Sequence, residues 1–107
     1  MKIEKLLDAV TATGAGQAKS ALDASYDTDN RTFQCVGATT AGSGACSVEI
    51  DVSNDNQNWL ALGTITLSLT TTPSTDGFVS NAAWAYVRAD VKSISGTGAN
   101  VTCYMGV

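Results

Sequence analysis

Apolar and polar positions alternate along most of this chain, which is the spacing of half-buried β-strands. Residues 45–53 show it most cleanly: Cys46, Val48, Ile50 and Val52 share one face, and Ser47, Glu49 and Asp51 the other. Residues 31–36 read as a strand in which Phe33 and Cys35 alternate with polar neighbours. Residues 17–22 read as another, with Ala18, Ser20 and Leu22 on one face. Residues 59–69 form a return strand with a break at Gly63, where the inward set shifts from Leu60 and Leu62 to Ile65 and Leu67. Phe78 starts a short strand or plugs the core. Near the end, Val87, Ala89 and Val91 fall on one face, as do Val101, Cys103, Met105 and Val107. The small residues Ser95-Gly96-Thr97-Gly98 lie between the two runs, and the pattern predicts a closing β-hairpin. Polar or small-residue segments at 23–30, 37–44, 54–58 and 70–76 separate these elements as turns and loops.

Residues 2–10 follow a different period. Ile3, Leu6, Leu7 and Val10 fall at i, i+3, i+4 and i+7, which predicts one apolar stripe of a short amphipathic helix. Thr13-Gly14-Ala15-Gly16 then ends it. A helix this short does not persist alone in water, so its stripe needs a partner: its own domain or a neighbouring subunit. The organisation predicted is a docking arm and glycine linker over 1–16 and a β-domain over 17–107. About seven strands at regular spacing predict an all-β fold, an antiparallel β-sandwich of jelly-roll-like or Ig-like type.

At 107 residues the chain is one domain long and can bury a core without disulfides or metal. Charged residues make up only 15 %, and Ser, Thr and Asn fill the place of Lys and Glu. Such a surface suits a β-rich protein that rests against neighbours. The net charge of −4 and the scattered Lys and Arg argue against nucleic acid as a partner, because phosphate binding needs clustered cations. No apolar run reaches the roughly 20 residues of a membrane-spanning helix. Glu4, Lys5 and Asp8 interrupt what would be the apolar region of a signal peptide, so assembly in the cytoplasm is expected.

Catalytic and metal-binding chemistry is not expected. The chain has no His, which removes Ser-His-Asp and Cys-His arrangements and the usual zinc patterns. Asp51 and Asp55 are the nearest pair of carboxylates for acid–base work, but Asp55 sits in a tight turn and reads as solvated, and the group Asp23, Asp27 and Asp29 reads as a solvated loop. The run from Asp51 begins like a calcium loop, but Asn56 stands where that loop needs Gly and Leu62 where it needs Glu. Neither a catalytic residue nor a cofactor is therefore assigned. The three cysteines read as small buried hydrophobes. A Cys35–Cys46 bridge is conceivable if the two strands face each other across a symmetric hairpin. Trp84, Tyr86 and Arg88 alternate with Val87 and Ala89 and so lie on the outward face. Together with Trp59 and Tyr104 they could make a sugar-stacking platform, but Trp, Tyr and Arg are also the residue types of protein contacts, which is the favoured reading.

Two segments carry a resemblance. The W-x-Y-V-R-A strand from Trp84, the Ser95-Gly96-Thr97-Gly98-Ala99 turn and the closing V-T-x-x-M-G-V resemble small virion structural proteins of tailed bacteriophages. The stretch S-N-D-x-x-x-W-x-x-L-G-T-I from Ser53 to Ile65 resembles a hairpin of the same proteins. The resemblance spans residues 31–107. It implies a non-enzymatic capsid decoration, or cement, protein on the outer surface of the virion. The implied partners are the major capsid protein and further copies of itself, most simply a homotrimer. The contacts expected are Ile3, Leu6, Leu7 and Val10 from the arm and Trp84, Tyr86 and Arg88 from the open face. Head–tail connector or tail component, carbohydrate-binding host-attachment module and, remotely, small hydrolase are the alternatives.

Overall fold

Nine strands carry the described part of the chain, which in this computed structural model comprises residues 3–20, 30–81 and 84–106. They are β1 (Ile3–Val10), β2 (Gly14–Ala15), β3 (Lys19–Ser20), β4 (Arg31–Ala38), β5 (Ala41–Ser53), β6 (Leu60–Leu69), β7 (Ser74–Ser80), β8 (Tyr86–Thr97) and β9 (Asn100–Gly106). One sheet runs in the order β1-β9-β4-β7. The other runs β2-β8-β5-β6, with β3 also paired to β8. All pairings are antiparallel. The fold is therefore the all-β sandwich that the alternation implies. With β2 and β3 taken as one interrupted strand, the eight strands run 1-8-3-6 in one sheet and 2-7-4-5 in the other. That is the jelly-roll order, and it decides against the Ig-like alternative.

The core lies between the sheets. Phe33, Cys35, Val101, Cys103 and Met105 face inward from one, and Cys46, Val48, Ile50, Val52, Ile65, Leu67, Leu69, Val87, Ala89 and Val91 from the other. Phe78 plugs one end. Its ring sits 5.2 Å from that of Phe33, against Gly63, where a side chain would collide with it. The expected break in β6 is a bulge at this point: Ile50 pairs with Gly63 and Asp51 with Ala61, leaving Leu62 as the extra residue. Leu60 lies beyond the core and is exposed.

Three expectations are corrected. Residues 3–10 form strand β1, paired with β9, and not a helix. Two irregularities in the ladder explain the misleading period. One falls between Lys5 and Leu7 and the other between Leu7 and Val10, where Ala9 takes a φ of 48° and donates its N–H to Thr102 Oγ1. Each inserts a residue, so Leu6 and Leu7 both reach the core and Val10 packs against it, at a spacing that imitates a helical stripe. The Gly-containing segment after it supplies β2, a member of the opposite sheet.

The closing hairpin is the second correction. β8 and β9 belong to different sheets and do not pair. Gly96 and Gly98, with φ of 118° and 62°, turn the chain across the sandwich, beside the β4–β5 corner, where the Thr40 N–H donates to the Thr97 carbonyl. Of the expected strand over 17–22, Lys19 and Ser20 pair with β8. Leu22 and the acidic group Asp23, Asp27 and Asp29 lie outside the described residues.

Third, Cys35 faces Cys103 across the β4–β9 ladder, whereas Cys46 belongs to the other sheet, so no hairpin brings Cys35 and Cys46 together. All three are buried free thiols. The hydrogen bond with Cys103, reinforced by burial, holds the Cys35 thiol far above its ordinary range, and burial raises Cys46. Thiolate is the reactive form, so native protein will label with a thiol reagent only as fast as the sandwich opens. Labelling of all three within the dead time of mixing, without denaturant, would contradict this packing.

Candidate contact face

The outer face of the β2-β8-β5-β6 sheet is built from the residues that alternate with its core. Register sets Tyr86 of β8 against Ser53 of β5, Arg88 against Asp51, and Asp90 against Glu49. Arg88 Nε donates to Asp51 Oδ2 at 3.2 Å. The Trp59 ring, at the mouth of β6, lies against the guanidinium with 4.4 Å between Arg88 Cζ and the ring centroid. The Asp51 side chain is only 4 % exposed although its position faces outward, while Arg88 keeps 27 %. Further along, Lys92 bridges Asp90 at 2.8 Å and Glu49 at 3.9 Å.

The loop before Trp59 holds this stack in place. Ser53 Oγ accepts the N–H groups of Asp55 and Asn56 and donates to Asp55 Oδ1. Asp55 in turn accepts the N–H groups of Gln57 and Asn58 at 2.9 and 2.8 Å and the Asn58 side-chain amide at 2.7 Å. Asn56 takes the left-handed conformation, with φ of 59°, that Asn tolerates best after Gly. Asn54 Oδ1 accepts the Ala85 N–H and ties the loop to the entry of β8. The S-N-D-x-x-x-W spacing is thus a loop clamp that delivers Trp59 to Arg88.

Donors around Asp55, Asn58 first, hold its carboxyl far below the ordinary carboxylate range. A group depressed in the folded state contributes stability that is fully present above its unfolded value of 3.8 and is lost as the pH falls through the lower folded value. Asp55→Asn will therefore melt below the wild type at neutral pH, and the gap will close in strong acid. A pH-independent gap in melting temperature would show that the charge is not what the loop uses.

Asp51 Oδ1 is buried with no donor among the described residues. Glu49 lies two residues away on the same face, and the neighbouring Asp51 carboxyl raises it above its ordinary value. Fixed donors surround Asp55, whereas Asp51 has an arginine on one oxygen and another acid nearby.

The expected contact residues scatter. Leu6 and Leu7 are core, Val10 is partly buried against it, and Ile3 is 58 % exposed on edge strand β1. Trp84 packs on the core cluster ahead of β8, while Tyr86 and Arg88 stand half-buried on the outer face. Tyr104 belongs to the other sheet, under Lys5, so the four aromatics do not assemble into one platform. Asp51 was not expected in this constellation. The signal for it was an acid on the outward face of the cleanest strand, matched to Arg88 only once strand register is known.

No protein-family profile and no curated sequence matches the chain. The fold is similar to the crystal structure of the PBSX exported protein XepA, with a TM-score of 0.52 and 14 % identity, over 97 % of this chain and 36 % of that one. At this identity the likeness concerns the fold, and the chain spans about a third of its neighbour's length.

Proposed function

We propose that the chain is a phage virion structural protein of the capsid decoration type, a non-catalytic module that binds the outer shell and acts as a homo-oligomer. One observation carries the reading. The two segments that resemble tailed-phage virion proteins meet at a single place: Ser53, Asn54, Asp55 and Trp59 from one, Ala85, Tyr86 and Arg88 from the other. The fold likeness to the PBSX exported protein XepA supports the phage-related part of this reading. A clamped loop, a stacked Trp–Arg pair and a half-exposed Tyr form a rigid surface rich in the side chains that dominate protein interfaces. Contacts of this kind to the major capsid protein would tie adjacent capsomers together against the pressure of packed DNA. Arg88 already occupies one face of Trp59, which favours a protein partner over sugar stacking.

The test is to mix the purified chain with phage capsids that lack it and to image them by electron microscopy. Density spread over the shell, weakened about tenfold or more in occupancy-limiting titrations by Tyr86→Ala, is the expected result. Density confined to the neck or tail would replace decoration by a connector role. Binding to host cells with none to capsids would favour the carbohydrate module.

A further inference from the structure

A sandwich of two open sheets has four edges, and an edge strand offers unpaired N–H and C=O groups to any passing strand. Three edges here carry protection. β1 is broken by two ladder irregularities and bears Glu4, Lys5 and Asp8. Among the described residues the β2/β3 edge consists of two strands of two residues each, separated by residues 16–18, with Lys19 in the second. β7 follows Pro73 and contains Asp76, whose carboxylate accepts the Gly77 N–H. β6 is the exception. It is ten residues long, contains no charged residue and no proline, and runs without a bulge from Thr64 to Leu69.

Its free side can be identified. The Ser68 carbonyl accepts from Ser74 Oγ at 2.7 Å, so Ser68 directs its backbone away from β5. Alternation then places the N–H and C=O of Thr66 and Thr64 on the same outer side, where no further strand pairs with β6 among the described residues. Their side chains are exposed hydroxyls.

We propose that β6 is the contact between two copies of this chain, pairing antiparallel with the β6 of a second copy about a twofold axis near Thr66. Charge selects a second copy as the occupant. The chain carries a net −4, which opposes the approach of two copies in general, whereas β6 brings no charge of its own to the contact. An uncharged strand is also self-complementary, as a twofold contact requires, and Thr–Thr is a favourable cross-strand pair. The joined sheets would run continuously through both copies. This gives dimers in place of the trimer that the resemblance implies.

Sedimentation of the free chain over a wide concentration range tests the pairing, independently of any capsid attachment. Thr66→Pro removes an N–H that faces away from β5 and is tolerated on an open edge. The wild type is expected to sediment as a concentration-dependent dimer, and Thr66→Pro as a monomer with unchanged β-type circular dichroism. If Thr66→Pro fails to fold, the double variant Thr64→Lys, Thr66→Lys serves instead and is expected to be monomeric by like-charge repulsion. In the wild type, the Thr64 and Thr66 amides should exchange slowly when concentrated and quickly on dilution. A wild type that remains monomeric, a trimer, or a dimer that survives in a folded variant overturns the proposal.

Discussion

Deleting residues 1–12 will unfold the sandwich; it will not release a binding arm. Leu6 and Leu7 are each only 4 % exposed, and β1 supplies one full ladder of β9. Cutting a buried Leu to Ala costs about 2–5 kcal/mol, and a domain holds only about 5–15 kcal/mol in all. Loss of both side chains together with the ladder should therefore consume most or all of that margin. Leu7→Ala alone is expected to cost about 2–5 kcal/mol in urea denaturation. Circular dichroism and cooperative unfolding check the deletion. A truncated chain that melts like the wild type would place β1 outside the core.

Arg88→Ala should be the most damaging change on the outer face. It leaves Asp51 as a buried carboxylate without its paired guanidinium and with an oxygen that has no donor among the described residues. Breaking a buried ion pair from one side costs about 3–5 kcal/mol, and partial exposure of Arg88 points to the lower end, about 3 kcal/mol. Adding Asp51→Asn to Arg88→Ala removes the stranded charge and should recover part of that loss. A double-mutant cycle by urea denaturation measures the coupling, and strictly additive effects would show that the two groups act independently.

These results separate what alternation can say from what it cannot. Cys46, Val48, Ile50 and Val52, and likewise Val101, Cys103 and Met105, point inward as their period demands. Period 2 assigns a face and is silent about the sheet. Thus β8 and β9, consecutive and similarly patterned, read as a hairpin although Gly96 and Gly98 carry the chain across the sandwich. β1 misleads for a second reason, because two insertions in eight residues make the inward set imitate a helical face. The candidate face was legible at Tyr86 and Arg88. Asp51 was not, since it meets Arg88 only through the β5–β8 register, and Trp59 reaches that arginine from a loop clamp eight residues downstream.

The position of β9 has a consequence for synthesis. Of the described strands, β9 comes latest in sequence and lies between β1 and β4, the first and third main strands, so neither can complete its pairing until residues 100–106 have left the ribosome. Nearly every ladder joins segments far apart in the chain, and such topologies fold slowly because loop closure precedes the stabilising contacts. During that interval the inward faces of β4 and β5 and the uncharged run of β6 stand open to solvent and to each other. Prematurely terminated chains would lack the strand that closes one sheet and would remain substrates for proteases. Only chains read through to β9 would then close the β1-β9-β4-β7 sheet, a check on synthesis set by strand order.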